Sequence, residues 1–352
     1  MWHWSGVATA LLTLLLSGMA GAGPCEPVEA AQKFSVLFDK TFTKPEDNAI
    51  GMVFPNAYTW DLGTYYPGRC ACTGTSSRSD TFFTTKTSLI AREIRVVDGR
   101  SVQFYEINRN LQVATEIFIV GGKGFMPTPW VDLNNGNQGS EPCRNGFVSP
   151  IHFGTGSKGR VHLLISYPFV GTLAVPEFKV LDLYAVRSDP KPAATKSIMG
   201  LYMSMNVTVP QNCKLVPGQQ TSIDFGSLMP SQLVSPGAAG QKVVNRNFQI
   251  QCSNISAGVK INLALEGRPH GQAPRYLETT HQDVAVAMES GGKLVAPTLL
   301  GAIPIANQLI PITLDYQSQK AQFDLSAWPV KMRPRPQPGA FQGSATLKFD
   351  FE

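Results

Sequence analysis

Short runs with a two-residue period dominate this sequence and confine it to a β fold. In the first half, Phe34 to Phe42, Thr81 to Thr87, Ser101 to Ile107, Val113 to Val120, Val161 to Tyr167 and Phe178 to Val186 read as strands. Clusters of Gly, Pro, Asn and Asp, such as LNNGNQGSEP, separate them. Side chains on a strand point to alternate faces, so such runs bury one face and leave the other wet. Helical periodicity is scarce, and the best stretch is VEAAQKF, Val28 to Phe34. Many short strands with turn signals between them predict β-sandwiches.

The pattern continues in the second half. Gly200 to Val209, Thr221 to Phe225, Val243 to Cys252, Val259 to Leu265, Asp283 to Met288, Ile312 to Tyr316 and Ser344 to Phe351 read as strands, an immunoglobulin-like number. Between the halves, SDPKPAATKS carries two prolines and several small residues and reads as a linker, residues 188–200. A chain of 352 residues suits two domains. Apolar residues make up 43% of it, enough for ordinary cores. The net charge is +5 and the basic residues are scattered, which leaves no nucleic-acid footprint.

Val7 to Leu16 is a short apolar run, and Ala20-Gly21-Ala22 after it fits a cleavage site. Residues 1–22 are therefore expected to be a signal peptide, although MWHWSG before the run has no Lys or Arg. Leu294 to Leu314 is uncharged and long enough to span a membrane, but Pro297, Pro304 and Pro311 interrupt it, so it reads as short strands and turns. Export makes the six cysteines informative, since an even number in an oxidising compartment reads as disulfides. Cys70 and Cys72 share one strand face and are poorly placed to bond each other. Cys25 and Cys143 are then their partners, in an order the sequence leaves open, and Cys213 and Cys252 remain as a separate pair. The split of four and two predicts two separately stapled domains.

The second half resembles a known family. VTVPQNCKLVPGQQTSIDFGSL (Val207 to Leu228), FQIQCSN (Phe248 to Asn254), DVAVAME (Asp283 to Glu289) and the closing GSATLKFDFE are together similar to a bacterial pilin domain of the chaperone–usher kind. The resemblance covers Leu201 to Glu352. The family's cysteine pair matches Cys213 and Cys252, and its alternately apolar final strand matches Leu347, Phe349 and Phe351. Ala285 stands where many members have Gly. The resemblance implies an all-β protein of two β-sandwich domains, the C-terminal one an incomplete immunoglobulin-like pilin domain. A periplasmic chaperone fills its open slot first, and an adjacent fimbrial subunit's N-terminal strand replaces it. Gly343, Ala345, Leu347, Phe349 and Phe351 would line that slot. An outer-membrane usher and export through the periplasm to a surface fimbrium are implied with it.

A whole disulfide-bearing domain, residues 23–187, precedes this 201–352 unit, and no free donor arm precedes Cys25. That organisation is similar to two-domain tip adhesins, whose first domain binds a receptor, often a glycan. Binding without turnover is the expected mechanism, with no cofactor and no metal. Two other readings stay open: a fibre cap that binds no ligand, and a metal-dependent or enzymatic first domain.

For a sugar, amides and carboxylates near an exposed aromatic are the groups to seek. PWVDLNNGNQGSEPCRNG offers Trp130, Asp132, Asn134, Asn135, Asn137 and Gln138, against the plainer reading of a turn-forming loop. YTWDLGTYYPGRC offers Trp60, Asp61, Tyr65 and Tyr66, against half-buried sandwich aromatics. GTGSKG, Gly154 to Gly159, spells GxGxxG but runs into a strand, so it reads as a hairpin turn and no phosphate cradle. Cys70-x-Cys72 with His152 or His162 could compose a metal site, against the disulfide reading. No G-x-S-x-G or HExxH motif is present.

Overall fold

The computed structural model describes residues 22–74, 76–136, 139–187 and 193–352. Residues 1–21 of the expected signal peptide and 188–192 of the expected linker lie outside the described residues. Strands supply nearly all the regular structure, and two sandwiches follow one another along the chain.

In the first sandwich, the long strand Gly171–Val186 pairs antiparallel with Phe82–Lys86 and Met199–Val209. Met199–Val209 pairs in parallel with Gln32–Thr41. Ala22–Pro27, Tyr66–Cys72 and Phe147–Phe153 extend this sheet. The facing sheet runs Val53–Asp61, Lys158–Ile165, Leu111–Ile119, Arg100–Glu106, Ala91–Val97. Strand alternation fixes what is shared between them: Val161, Leu163 and Ile165 from one sheet and Leu181, Leu183, Leu201 and Met203 from the other enter a single core.

Several sequence expectations are corrected. Val28 to Phe34 forms no helix; a bend leads into the strand Gln32–Thr41. The strand expected to open the second unit, Gly200 to Val209, belongs to the first. Its alternate side chains Met199, Leu201, Met203, Met205, Val207 and Val209 are all within 2% of full burial in the first core. The chain therefore passes between cores after Val209. Gly154 to Gly159 is a turn, but the strands it joins, Phe147–Phe153 and Lys158–Ile165, lie in different sheets, so it is a corner and no hairpin. Trp60 Nε1 donates to Gly156 O (3.1 Å) and the Tyr66 hydroxyl to Thr155 O (2.6 Å), which locks the corner into the core. A Cβ on Gly159 would fall 1.9 Å from the Trp60 ring. These glycines serve close packing and not phosphate binding.

In the second sandwich the larger sheet runs Asn212–Leu215, Val244–Ser253, Lys320–Lys331, Val284–Ser290, Ala273–Glu278, Pro269–His270. The smaller runs Leu309–Ile312, Ile261–Gly267, Ala345–Phe351. Phe248, Ile250, Leu263, Leu265, Met288 and Phe323 form the core between them. Cys25 bonds Cys70, Cys72 bonds Cys143, and Cys213 bonds Cys252. Every cysteine is thereby oxidised, which removes the thiolates that the Cys70-x-Cys72 metal reading needs. The sandwiches meet where Asn254 Nδ2 donates to Phe42 O (2.8 Å) and Pro210 O (2.7 Å), and Ser256 Oγ to Pro45 O (2.9 Å). No helix among the described residues is long and apolar enough to cross a membrane.

Candidate functional site

The second sandwich opens its core to the surface along one edge. The terminal strand Ala345–Phe351 pairs antiparallel with Ile261–Gly267, placing Leu347 opposite Leu265, Phe349 opposite Leu263 and Phe351 opposite Ile261. Reciprocal bonds of 2.9 Å between Lys260 and Glu352 close the ladder. Lys348 Nζ reaches Glu266 Oε1 at 3.1 Å on the outer face and holds that carboxyl below its ordinary range. The other edge of the terminal strand pairs with no strand among the described residues.

Across from that edge stands Asn212–Leu215, tied to Val244–Ser253 by the Cys213–Cys252 bridge. One further backbone bond, Val216 N to Gln249 O (2.9 Å), prolongs this wall. The chain then passes through Thr221 to Phe225 without strand pairing, which corrects the strand expected there. Among the described residues no strand pairs with that segment, so its apolar alternation packs Ile223 and Phe225 against the core without joining a sheet.

Between the two walls lies a groove of about 830 Å³. Its floor is sandwich core: Phe248, Leu265, Leu277, Val286, Met288 and Leu325. Gly343, Ala345, Leu347 and Phe349 line it, whereas Phe351 packs on the core beyond its end. Leu347 and Phe349 are only half-buried. Phe225 and Phe341 were not singled out in the sequence, yet they stack across the mouth; Phe341 shares its parity with Gly343 and Leu347, which was the available signal. An open edge of unpaired backbone beside exposed core is a template for an added strand.

The loop expected to bind sugar is largely engaged in its own bonds. Trp130 is half-buried against the first core and its backbone exchanges bonds with Thr85, the main-chain N–H donating to Thr85 Oγ1 (3.1 Å) and the carbonyl accepting from Thr85 N (3.0 Å). Asp132 is exposed and its N–H donates to Thr84 Oγ1 (3.0 Å). Asn134 Nδ2 donates to Asp80 Oδ2 (2.7 Å), while its Oδ1 accepts from Gly136 N (2.6 Å), an Asx turn. Asn135 is buried and lines a cleft of about 400 Å³ with Tyr65, His152 and Arg187. Asn137 and Gln138 lie outside the described residues. Of the second aromatic cluster, Trp60 and Tyr66 are core, and Tyr65 is exposed.

Two stapled sandwiches in series, the second of immunoglobulin-like build with its core open at one edge, define an all-β protein of the fimbrial-subunit class. The chain belongs to the fimbrial protein family: the family profile described as fimbrial protein matches residues 201–352, and the chain is similar along 97% of its length to Protein LpfD of Salmonella typhimurium, 31% identical over 96% of that protein. It is 27% identical to the probable minor fimbrial subunit LpfD of Escherichia coli O157:H7, over 99% of each chain. Among solved structures, the CupB6 tip adhesin from Pseudomonas aeruginosa is similar over 94% of this chain and 92% of its own, with 11% identity and a TM-score of 0.40.

Proposed function

We propose that this chain is an adhesive subunit carried at the end of a chaperone–usher fimbrium. It is exported through the periplasm, takes a β-strand from a partner into its second sandwich, and presents its first sandwich to a glycan receptor. The action is binding, with no turnover and no cofactor. The groove carries this reading. A strand laid along it would bond to the free edge of Ala345–Phe351 and drop alternate apolar side chains onto Phe248, Leu265 and Met288. Burying four or five such side chains at ~1.5–3 kcal/mol each supplies as much free energy as the whole stability of an ordinary domain. The periplasmic chaperone would provide that strand first, and the adjacent subunit's N-terminal arm afterwards, at the usher.

The division into a receptor domain and a strand-accepting domain follows the two cores. The first holds two disulfides and the second one, and the groove beside an unpaired strand edge lies in the second. Co-expression with and without the cognate periplasmic chaperone tests the reading. The chain alone is expected to aggregate or be degraded, and to be recovered as a one-to-one complex when the chaperone is present. A chain that accumulates as a compact, urea-resistant monomer with no partner would overturn it.

A further inference from the structure

A second cleft, of about 640 Å³, lies on the first sandwich. Four separate stretches build it: Ile50-Gly51 ahead of Val53–Asp61, the edge strand Ala91–Val97, the span from Glu106 through Arg109 to Gln112, and the end of Lys158–Ile165 with Ser166-Tyr167. Its volume suits one or two sugar rings.

The polar groups in it alternate in charge. Arg92 pairs with Glu106, and Arg95 Nε donates to Glu93 Oε2 (2.6 Å). Gln112 is 5% exposed, and its Nε2 donates to Glu93 Oε1 (3.0 Å) and Ser166 Oγ (2.8 Å). Its Oε1 has no hydrogen-bond partner among the described residues. A buried carbonyl without a donor costs free energy that a ligand hydroxyl or N–H can recover. Arg109 has no carboxylate partner among the described residues, and its guanidinium lies 5.4 Å from the centroid of the Tyr167 ring. The Tyr167 side chain is half-exposed and offers a flat apolar surface.

We infer that this cleft, and not the Trp130–Gln138 loop, is the receptor site, and that it takes a saccharide bearing a carboxylate. The inference rests on the receptor-binding reading above. Three guanidinium groups against two carboxylates leave one cation for the ligand's acid group, held at Arg109. The alternating donors and acceptors suit a ligand rich in hydroxyls, and the Tyr167 ring suits the apolar face of a pyranose.

The test uses the full chain, recovered as its one-to-one chaperone complex, on an array of acidic and neutral glycans, with Arg109→Ala, Arg109→Lys, Tyr167→Ala and the double variant Asp132→Ala/Asn134→Ala; the chaperone alone is the blank. Circular dichroism and thermal melting establish that each variant is folded. Wild type is expected to select acidic glycans and to weaken as salt rises. Arg109→Ala and Tyr167→Ala should each lose tenfold or more, Arg109→Lys should keep part of the preference for acid, and the loop variant should bind as wild type. Selection of neutral glycans, or loss in the loop variant with the cleft variants intact, overturns the cleft assignment and leaves the receptor reading standing. A wild-type chain that binds no glycan overturns both and favours a fibre cap.

Discussion

Phe225 and Phe341 stack across the mouth of the groove, with ring centroids 6.0 Å apart and 23° between their planes. They join two walls that share no backbone bond among the described residues, the Thr221–Phe225 segment and the lead-in to the terminal strand. An arriving strand must pass between these walls, so this contact is expected to part on binding. Phe225→Ser should therefore speed capture of a strand while lowering the melting temperature of chain freshly refolded in dilute solution. Stopped-flow fluorescence with a labelled donor peptide measures the first effect and a thermal melt the second; slower capture by the variant would contradict the gate.

On the terminal strand itself, parity separates the side chains that matter. Leu347 and Phe349 line the groove, and Asp350 does not. Replacing Phe349 by Asp exchanges a half-buried aromatic that an added strand would cover for a charge, and the loss of ~1.5–3 kcal/mol corresponds to about a 10- to 100-fold weaker complex. Asp350→Ala should leave the complex intact. Chaperone co-purification read by quantitative blotting compares the two, and equal loss in both variants would show that register along this strand is unimportant.

A free strand should act as a ligand for stability. A peptide of alternating apolar residues that fits the groove binds the native state only. At a hundred times its dissociation constant it would add about 2.7 kcal/mol. The melting transition of the second sandwich should rise by several degrees, whereas a peptide with the same composition in scrambled order should leave it in place. Differential scanning calorimetry on the full chain separates the two sandwiches, since the first should not respond.

How far the sequence revealed these features depends on how local each one is. The alternation of Leu347, Phe349 and Phe351 is written in seven residues and survives into the structure, as does the spacing that pairs Cys213 with Cys252. The central strand Lys320–Lys331 was hidden because Pro329 interrupts its pattern, although it sits opposite Val286 in mid-sheet. Thr221 to Phe225 has a strand's pattern and no strand's partner. The cleft at Arg109, Gln112 and Tyr167 brings together a turn, a strand and a second turn more than fifty positions away, and no periodicity could have joined them. Packing also decided the GTGSKG stretch, whose final glycine is dictated by Trp60, a hundred residues upstream in round terms.

That glycine gives a sharp test of the structural reading of the motif. Gly159 lies opposite Trp60 in the ladder with Val53–Asp61, where a Cβ would overlap the indole at 1.9 Å. Trp60 is 7% exposed and held by its bond to Gly156 O, so the ring cannot swing aside without losing that bond. Gly159→Ala should destabilise the first sandwich by about 1–3 kcal/mol, in keeping with overpacked cores. Urea denaturation followed by Trp fluorescence measures it, and an unchanged midpoint would mean that the ring has room the structure does not show.

Acid should loosen the first sandwich through His162. The imidazole is 1% exposed, and its Nδ1 accepts the Asn56 N–H at 3.0 Å, so the folded protein uses the neutral form. Burial lowers its pKa to about 4; Asp98 opposes the shift, while Arg160 and Arg100 add to it. Glu116 lies 3.7 Å from Nε2 and is itself bridged to Arg100 and Arg160, which occupies its charge. In the unfolded chain a histidine titrates near ~6.5. Above that value neither state binds the proton and the full stability is present. As the pH falls from about 6.5 through about 4, the unfolded state takes up a proton that the folded state refuses, and stability drops. Urea midpoints at pH 7.5, 5.5 and 4.0 should therefore fall more steeply for wild type than for His162→Gln, whose amide oxygen can still accept from Asn56. Parallel slopes for the two proteins would assign the acid sensitivity to other groups.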